Sequence, residues 1–248
     1  MSEPHQRRGS DTETSRSLRT RWQAVPAARA HLYLMVLLTF STGINDAVGY
    51  LGLDRVFTGN MTGNVVILGM ALTGTTALPV LGPALALVGF VAGAGVGGFV
   101  LRRELLSWGP LHSWLLAAVA VTMLSLGVIL HAVGPTLEES TMVAATTVAS
   151  LALGIQAATA RAIAVKDVTT VVVTSTLTGL GADWFLGSGL RAGTARRVVT
   201  VLVLLLGAAI GALLLLVSVS AGFFVAGAVI AMGAIAGEVH RRAMPGES

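Results

Sequence analysis

From Val198 to Val217 the chain runs for twenty residues without a charged side chain. Coiled into a helix at 1.5 Å per residue, such a run is about 30 Å long, the thickness of the hydrocarbon layer of a bilayer. Within that layer only two architectures satisfy every backbone amide and carbonyl, the helix and the closed β-barrel. A barrel strand alternates apolar and polar residues. This run does not alternate, so it reads as a membrane helix.

The rest of the chain follows the same rule. Of 248 residues, 54% are hydrophobic and 11% charged, with a mean hydropathy of +0.81. Soluble domains carry about 25% charged residues. The pI of about 10.6 is no sign of nucleic-acid binding. The basic excess is arginine, placed where cytoplasmic loops of a membrane protein carry it. There is no cysteine, so thiol chemistry, disulfides and cysteine metal sites are excluded.

Eight apolar segments are expected, at about 32–53, 56–73, 78–101, 112–133, 141–161, 168–187, 198–218 and 221–237. Residues 1–29 read as a disordered cytoplasmic tail. Residues 30–240 form a single transmembrane domain with halves at about 30–133 and 141–237, and 241–248 a second cytoplasmic tail. Eight full crossings would put Arg102, Arg103, Arg161 and Lys166 outside, against the positive-inside rule. If segments two and six enter and leave on one side, only Arg55 is misplaced. The expected fold is therefore all-α and polytopic, with about six spans plus two discontinuous segments. Both termini are expected to be cytoplasmic, in the cell (inner or plasma) membrane.

Two regions repeat one polar pattern. Gly43-Ile44-Asn45-Asp46-Ala47 precedes Thr58-Gly59-Asn60-Met61-Thr62-Gly63. Gly154-Ile155-Gln156-Ala157-Ala158 precedes Thr174-Ser175-Thr176-Leu177-Thr178-Gly179. With three crossings per half, the second copy is inverted relative to the first. Inverted repeats with paired broken helices characterise secondary transporters. The expected pathway residues are Asn45, Asp46, Thr58, Asn60, Thr62, Asn64, Gln156, Thr174, Thr176 and Thr178.

Asp46 is the sharpest of these, since a carboxylate at membrane depth costs about 2.5–3.5 kcal/mol. It reads either as a proton- or cation-coupling group or as a structural acid. A structural Asp46 would pair with Arg161 or cap a broken helix; Asp183 is a second possible partner of Arg161. The Thr/Gly hexamers either line a pathway, with half-helix N-termini that favour anions, or serve as packing seams. Glycine ladders at Gly89-Gly93-Gly97, Gly207-Gly211 and Gly233-Gly237 could join helices within one chain or between copies in a homo-oligomer. Trp108, Trp114 and Trp184 are expected at the membrane interfaces.

No H-E-x-x-H, Walker A or G-x-S-x-G motif occurs, so no enzyme, cofactor or metal site is expected. The expected surroundings are the lipid bilayer and a small solute or ion, with no nucleic acid. A small-solute or ion transporter is the leading reading; a passive channel and a non-transporting scaffold or regulator are the alternatives.

The motifs Gly43–Ala47 with Phe57–Asn64, and Gly154–Ala158 with Asp167–Gly179, resemble the YoaK-type family of bacterial integral membrane proteins. The resemblance covers about residues 30–240 and implies an inner-membrane protein of roughly six spans. That family is a domain of unknown function, and it implies no substrate, reaction or catalytic residue.

Overall fold

The computed structural model describes residues 22–104, 108–163, 178, 181 and 192–243. They form seven helices: α1 (Ala27–Gly52), α2 (Met61–Ala71), α3 (Leu81–Leu101), α4 (Pro110–Val133), α5 (Glu139–Ile163), α6 (Ala192–Leu214) and α7 (Val219–Ala243). No strand occurs among the described residues. Five helices (α1, α3, α4, α5 and α7) are long and apolar enough to cross a membrane. In α6 the apolar stretch is Val198–Leu214. Of the discontinuous segment expected at 168–187, only Thr178 and Gly181 are among the described residues; Thr174 and Thr176 lie outside them.

The helix ends follow local chemistry. Pro110 opens α4, where its missing N–H costs nothing, and Gly134 at φ 96° closes it in a conformation that suits glycine. The Ser218 hydroxyl accepts from the Ala221 amide to start α7. That helix runs to Ala243, past the end of the apolar segment expected at 237 and into the first residues of the tail expected at 241–248. Arg241 and Arg242 both bind the Glu238 carboxylate at 2.7 Å, so these charges belong to the helix end.

Helix direction decides the number of crossings. Gly127 of α4 faces Phe224 of α7, and Gly227 of α7 faces Leu124. As one helix advances the other retreats, so α4 and α7 are antiparallel. In α1 and α7, Val48 meets Gly222 and Trp22, just before α1, donates to the Ala236 carbonyl at 2.8 Å, so these two are antiparallel as well. It follows that α4 runs parallel to α1. Were residues 53–80 a full crossing, α4 would be the fourth span and run opposite to the first. Instead α3 begins where α1 ends, with Gly82 against Asp54 and Val56. Segment two leaves and returns at one end of the bundle, and eight full spans are ruled out.

The two halves are built alike. α3 packs on α5 as α6 packs on α1, α1 on α7 as α5 on α4, and α4 pairs with α7. This pattern is unchanged when α1, α3 and α4 are exchanged for α5, α6 and α7. The match extends to single residues. Gly93 abuts the Leu151 carbonyl, and Gly207 the Phe40 carbonyl. Gly97 meets Ile155 and Ala158, while Gly211 meets Ile44 and Ala47. Gly154 lies on Phe90 and Ala94, and Gly43 on Leu204 and Ala208. Each helix runs opposite to its counterpart, so the repeat is inverted. The first two glycine ladders are thus filled within one chain, where close backbone approach maximises dispersion contact. Gly233 and Gly237 face Leu37 and Trp108 of the same chain.

Candidate functional site

Segment two is a loop followed by a half-helix. After Gly52 the chain turns at Arg55, whose φ of 52° is left-handed, and passes Val56 along Gly49 of α1. It reaches deep enough for Gly59 to touch Thr42 of α1 and Leu153 of α5. Thr42 lies ten residues before the end of α1, so the turn dips about 15 Å into the bundle. The eleven residues of α2, about 16 Å long, then lead back toward the same end.

Two side chains hold this turn. The Asn64 carboxamide donates to the Phe57 carbonyl at 2.6 Å and accepts from the Phe57 amide at 2.9 Å. It acts as a backbone surrogate, with the Phe57 ring stacked on Tyr50 at 4.7 Å. Asp46 does more. Its Oδ1 accepts from the amides of Thr58 (3.0 Å), Gly59 (2.6 Å) and Asn60 (3.2 Å). Those amides lead directly into α2, so the carboxylate sits at the positive end of the half-helix. Gly59 has no room for a side chain, since a Cβ there would lie 2.9 Å from Thr42 Cγ2.

The positions read from sequence separate into groups. Asn45, Asp46, Thr58 and Gln156 come together where the turn meets α1 and α5. Asn60 caps α2 through the Gly63 amide at 3.2 Å. Asn64 is fully buried in its Phe57 bracket. Thr62 and Thr178 lie exposed. Arg161 is exposed at the end of α5, and the Asp46 oxygen that binds the turn is occupied by backbone amides; capping of a broken helix is the role in place, and pairing with Arg161 is not. Asp183 lies outside the described residues. The α2 N-terminus, expected to favour anions, is neutralised by Asp46 from within the chain.

Beneath the turn lies a buried polar seam. Thr39, Thr42, Thr146 and Thr159 donate to carbonyls three or four residues back on their own helices. Asn45 and Gln156, counterparts in the two halves, are nearly fully buried. Asn45 Nδ2 donates to the Ser41 carbonyl at 3.0 Å. Gln156 Nε2 crosses from α5 to the Thr42 hydroxyl at 3.1 Å and the Leu38 carbonyl at 3.4 Å. The oxygens Asn45 Oδ1 and Gln156 Oε1 have no hydrogen-bond partner among the described residues.

A second polar cluster was not legible as a site in the sequence. Trp108 Nε1 donates to Ser113 Oγ at 2.8 Å, and Ser113 donates to Glu238 at 3.0 Å, joining the start of α4 to the end of α7. Trp108 is buried here, against Gly237, whereas Trp114 is exposed as an interfacial aromatic should be. The one available signal was a lone acid at the end of an apolar run.

A bundle of membrane-length helices, built from an inverted repeat around a half-helix, defines a polytopic helical membrane protein. A family model described as "Protein of unknown function (DUF1275)" matches residues 34–236, and the chain belongs to that family. It is 29% identical over 150 residues to "UPF0700 transmembrane protein YoaK" of Bacillus subtilis (strain 168). The match takes in 60% of this chain and 65% of that relative's length. No solved structure matches.

Proposed function

We propose that the protein is a membrane transporter for a small solute or an ion, with its site where the segment-two turn meets Asn45, Asp46 and Gln156. The observation that carries this reading is the re-entrant half-helix, whose turn is held at mid-depth against buried polar groups inside an inverted repeat. Irregular backbone at that depth persists where it is enclosed by protein or lines a cavity, and such broken helices flank transporter sites. Alternating access follows if one half rocks against the other around the site.

Asp46 offers a route for coupling. Three amides depend on its charge, so protonating it weakens the hold on the turn. The basic residues Arg29, Arg102, Arg103, Arg161, Arg241 and Arg242 share one end of the bundle with the start of α1 and the end of α7, while Glu138 and Glu139 lie at the other. By the positive-inside rule the basic end faces the cytoplasm of a cell with an energised membrane.

The test is uptake by proteoliposomes against a solute and ion panel, with and without a pH gradient. Gradient-dependent uptake that disappears in Asp46→Asn is expected. Flux without coupling would make the protein a channel, and no flux for any solute would favour a scaffold.

A further inference from the structure

We propose that Asn45 and Gln156 form a binding site for a dehydrated monovalent cation, an alkali metal ion or an ammonium group. This deepens the transport reading by naming a ligand class, but the binding itself does not depend on transport.

The argument begins with which end of each carboxamide is free. Asn45 places one end against the Ser41 carbonyl, and only an N–H can sit there. Gln156 places one end between the Leu38 carbonyl and the Thr42 hydroxyl. That hydroxyl already donates its proton to Leu38 at 3.0 Å, so it can only accept from Gln156. Both nitrogens are therefore fixed, and both oxygens are forced toward the unpartnered side. Leu38, Thr42 and Asn45 follow one another by four and three residues, which is one face of α1. Gln156 reaches that face across the helix interface at Thr42, one turn before Asn45 and beside Gly59.

Asn45 and Gln156 are 1% and 2% exposed, and a buried oxygen left unmatched is destabilising. The polar groups around them do not supply the match. The threonine hydroxyls at positions 39, 42, 146 and 159 are committed to backbone carbonyls, and the three amides of residues 58–60 to Asp46. What remains unmatched on these two side chains, among the described residues, is a pair of carboxamide oxygens close to the Asp46 carboxylate, a setting that favours a cation over an anion. Neutral amide oxygens are hard ligands suited to alkali ions. The described residues hold no cluster of three acidic, histidine or cysteine side chains, the donor set a transition metal would take.

The full-length protein, purified in detergent with N-methylglucamine as its only cation, is titrated with sodium, potassium, ammonium and methylammonium chlorides while thermal unfolding is followed. A saturable rise in melting temperature with one or more of these salts is expected. It should disappear in Gln156→Met and Asn45→Leu, which keep side-chain bulk and remove the oxygen. The alkali arms against the ammonium arms separate a metal ion from an amine. An equal effect of all salts, or a shift retained in both variants, overturns the site. So does variant stabilisation with no cation effect on the parent, which means the oxygens hold water only. If these variants fail to fold, Asn45→Asp serves instead: an added charge should tighten cation binding by about tenfold or more, and unchanged binding overturns the proposal. Cation binding without uptake would end the transport reading alone, and uptake by a protein whose melting temperature no cation shifts would end this one alone.

Discussion

Residues 40–47 and 151–158 occupy equivalent places in the two halves, yet only their packing has been kept in common. Gly43 and Gly154 rest on the backbones of α6 and α3 in matching register, and Ala47 and Ala158 touch Gly211 and Gly97. Between them the chemistry diverges. The first half has Asn45 and Asp46, the second Gln156 and Ala157. Packing geometry is a demand on every helix pair, so duplication preserves it. A carboxylate is needed only where it has something to hold, and in the described structure that is the turn at Thr58 to Asn60.

The comparison breaks first at the glycines. Gly43→Val and Gly154→Val each drive a side chain into a facing backbone that has nowhere to move. Overpacking costs about 1–3 kcal/mol where neighbours can yield and more where they cannot. Both variants should lose most of their folded yield, to a similar degree, in detergent melting assays. Gly95, which has open space around it, should accept valine with little loss. A large difference between positions 43 and 154 would mean that the halves bear load unequally.

Asp46 and Ala157 sharpen the contrast from the chemical side. Asp46→Leu removes the acceptor of three backbone amides, and hydrogen bonds to charged groups contribute about 1.5–3 kcal/mol each before compensation. A net loss of about 2–4 kcal/mol is expected, together with faster proteolysis between Arg55 and Met61. Ala157→Ser, at the equivalent place, should change stability by less than about 1 kcal/mol. Equal losses at both positions would show that Asp46 acts through helix packing.

The sequence made the bundle legible because membrane helices declare themselves by length and by charge at their ends. The same charges pointed to six crossings, and the helix directions agree. The inverted repeat was visible because Gly43-Ile44 and Gly154-Ile155 are packing residues, which duplication conserves. The partner of Asp46 was less legible. A carboxylate can be matched by an arginine far away in sequence or by peptide amides that any residue carries, and amides leave no mark in a sequence. The same holds for Asn64, whose partner is the Phe57 backbone. Trp108 looked interfacial because it ends a span; the burial came from Gly237, 129 positions away, which gives its indole ring a place to lie.

The smallest effect concerns the rim where the two halves meet. Asp54 lies just beyond α1, and its carboxyl is held above its usual value of 3.8 chiefly by partial burial, then by repulsion from Glu139, with Arg55 opposing. A raised value means that the folded protein binds the proton more tightly than the unfolded chain. The contribution to stability is then fullest below the unfolded value and is lost as pH rises through the folded one. Asp54→Asn should remove that loss, leaving the variant slightly more stable than the parent at neutral pH and equal to it in acid. The difference should be no more than about 2 °C in Tm, because the group is largely solvated and screened. Glu139→Gln should reproduce part of the gain while Asp54 is present and add nothing in its absence. Additive gains would place the two acids in independent surroundings, and the α1 and α5 ends would then not share a rim.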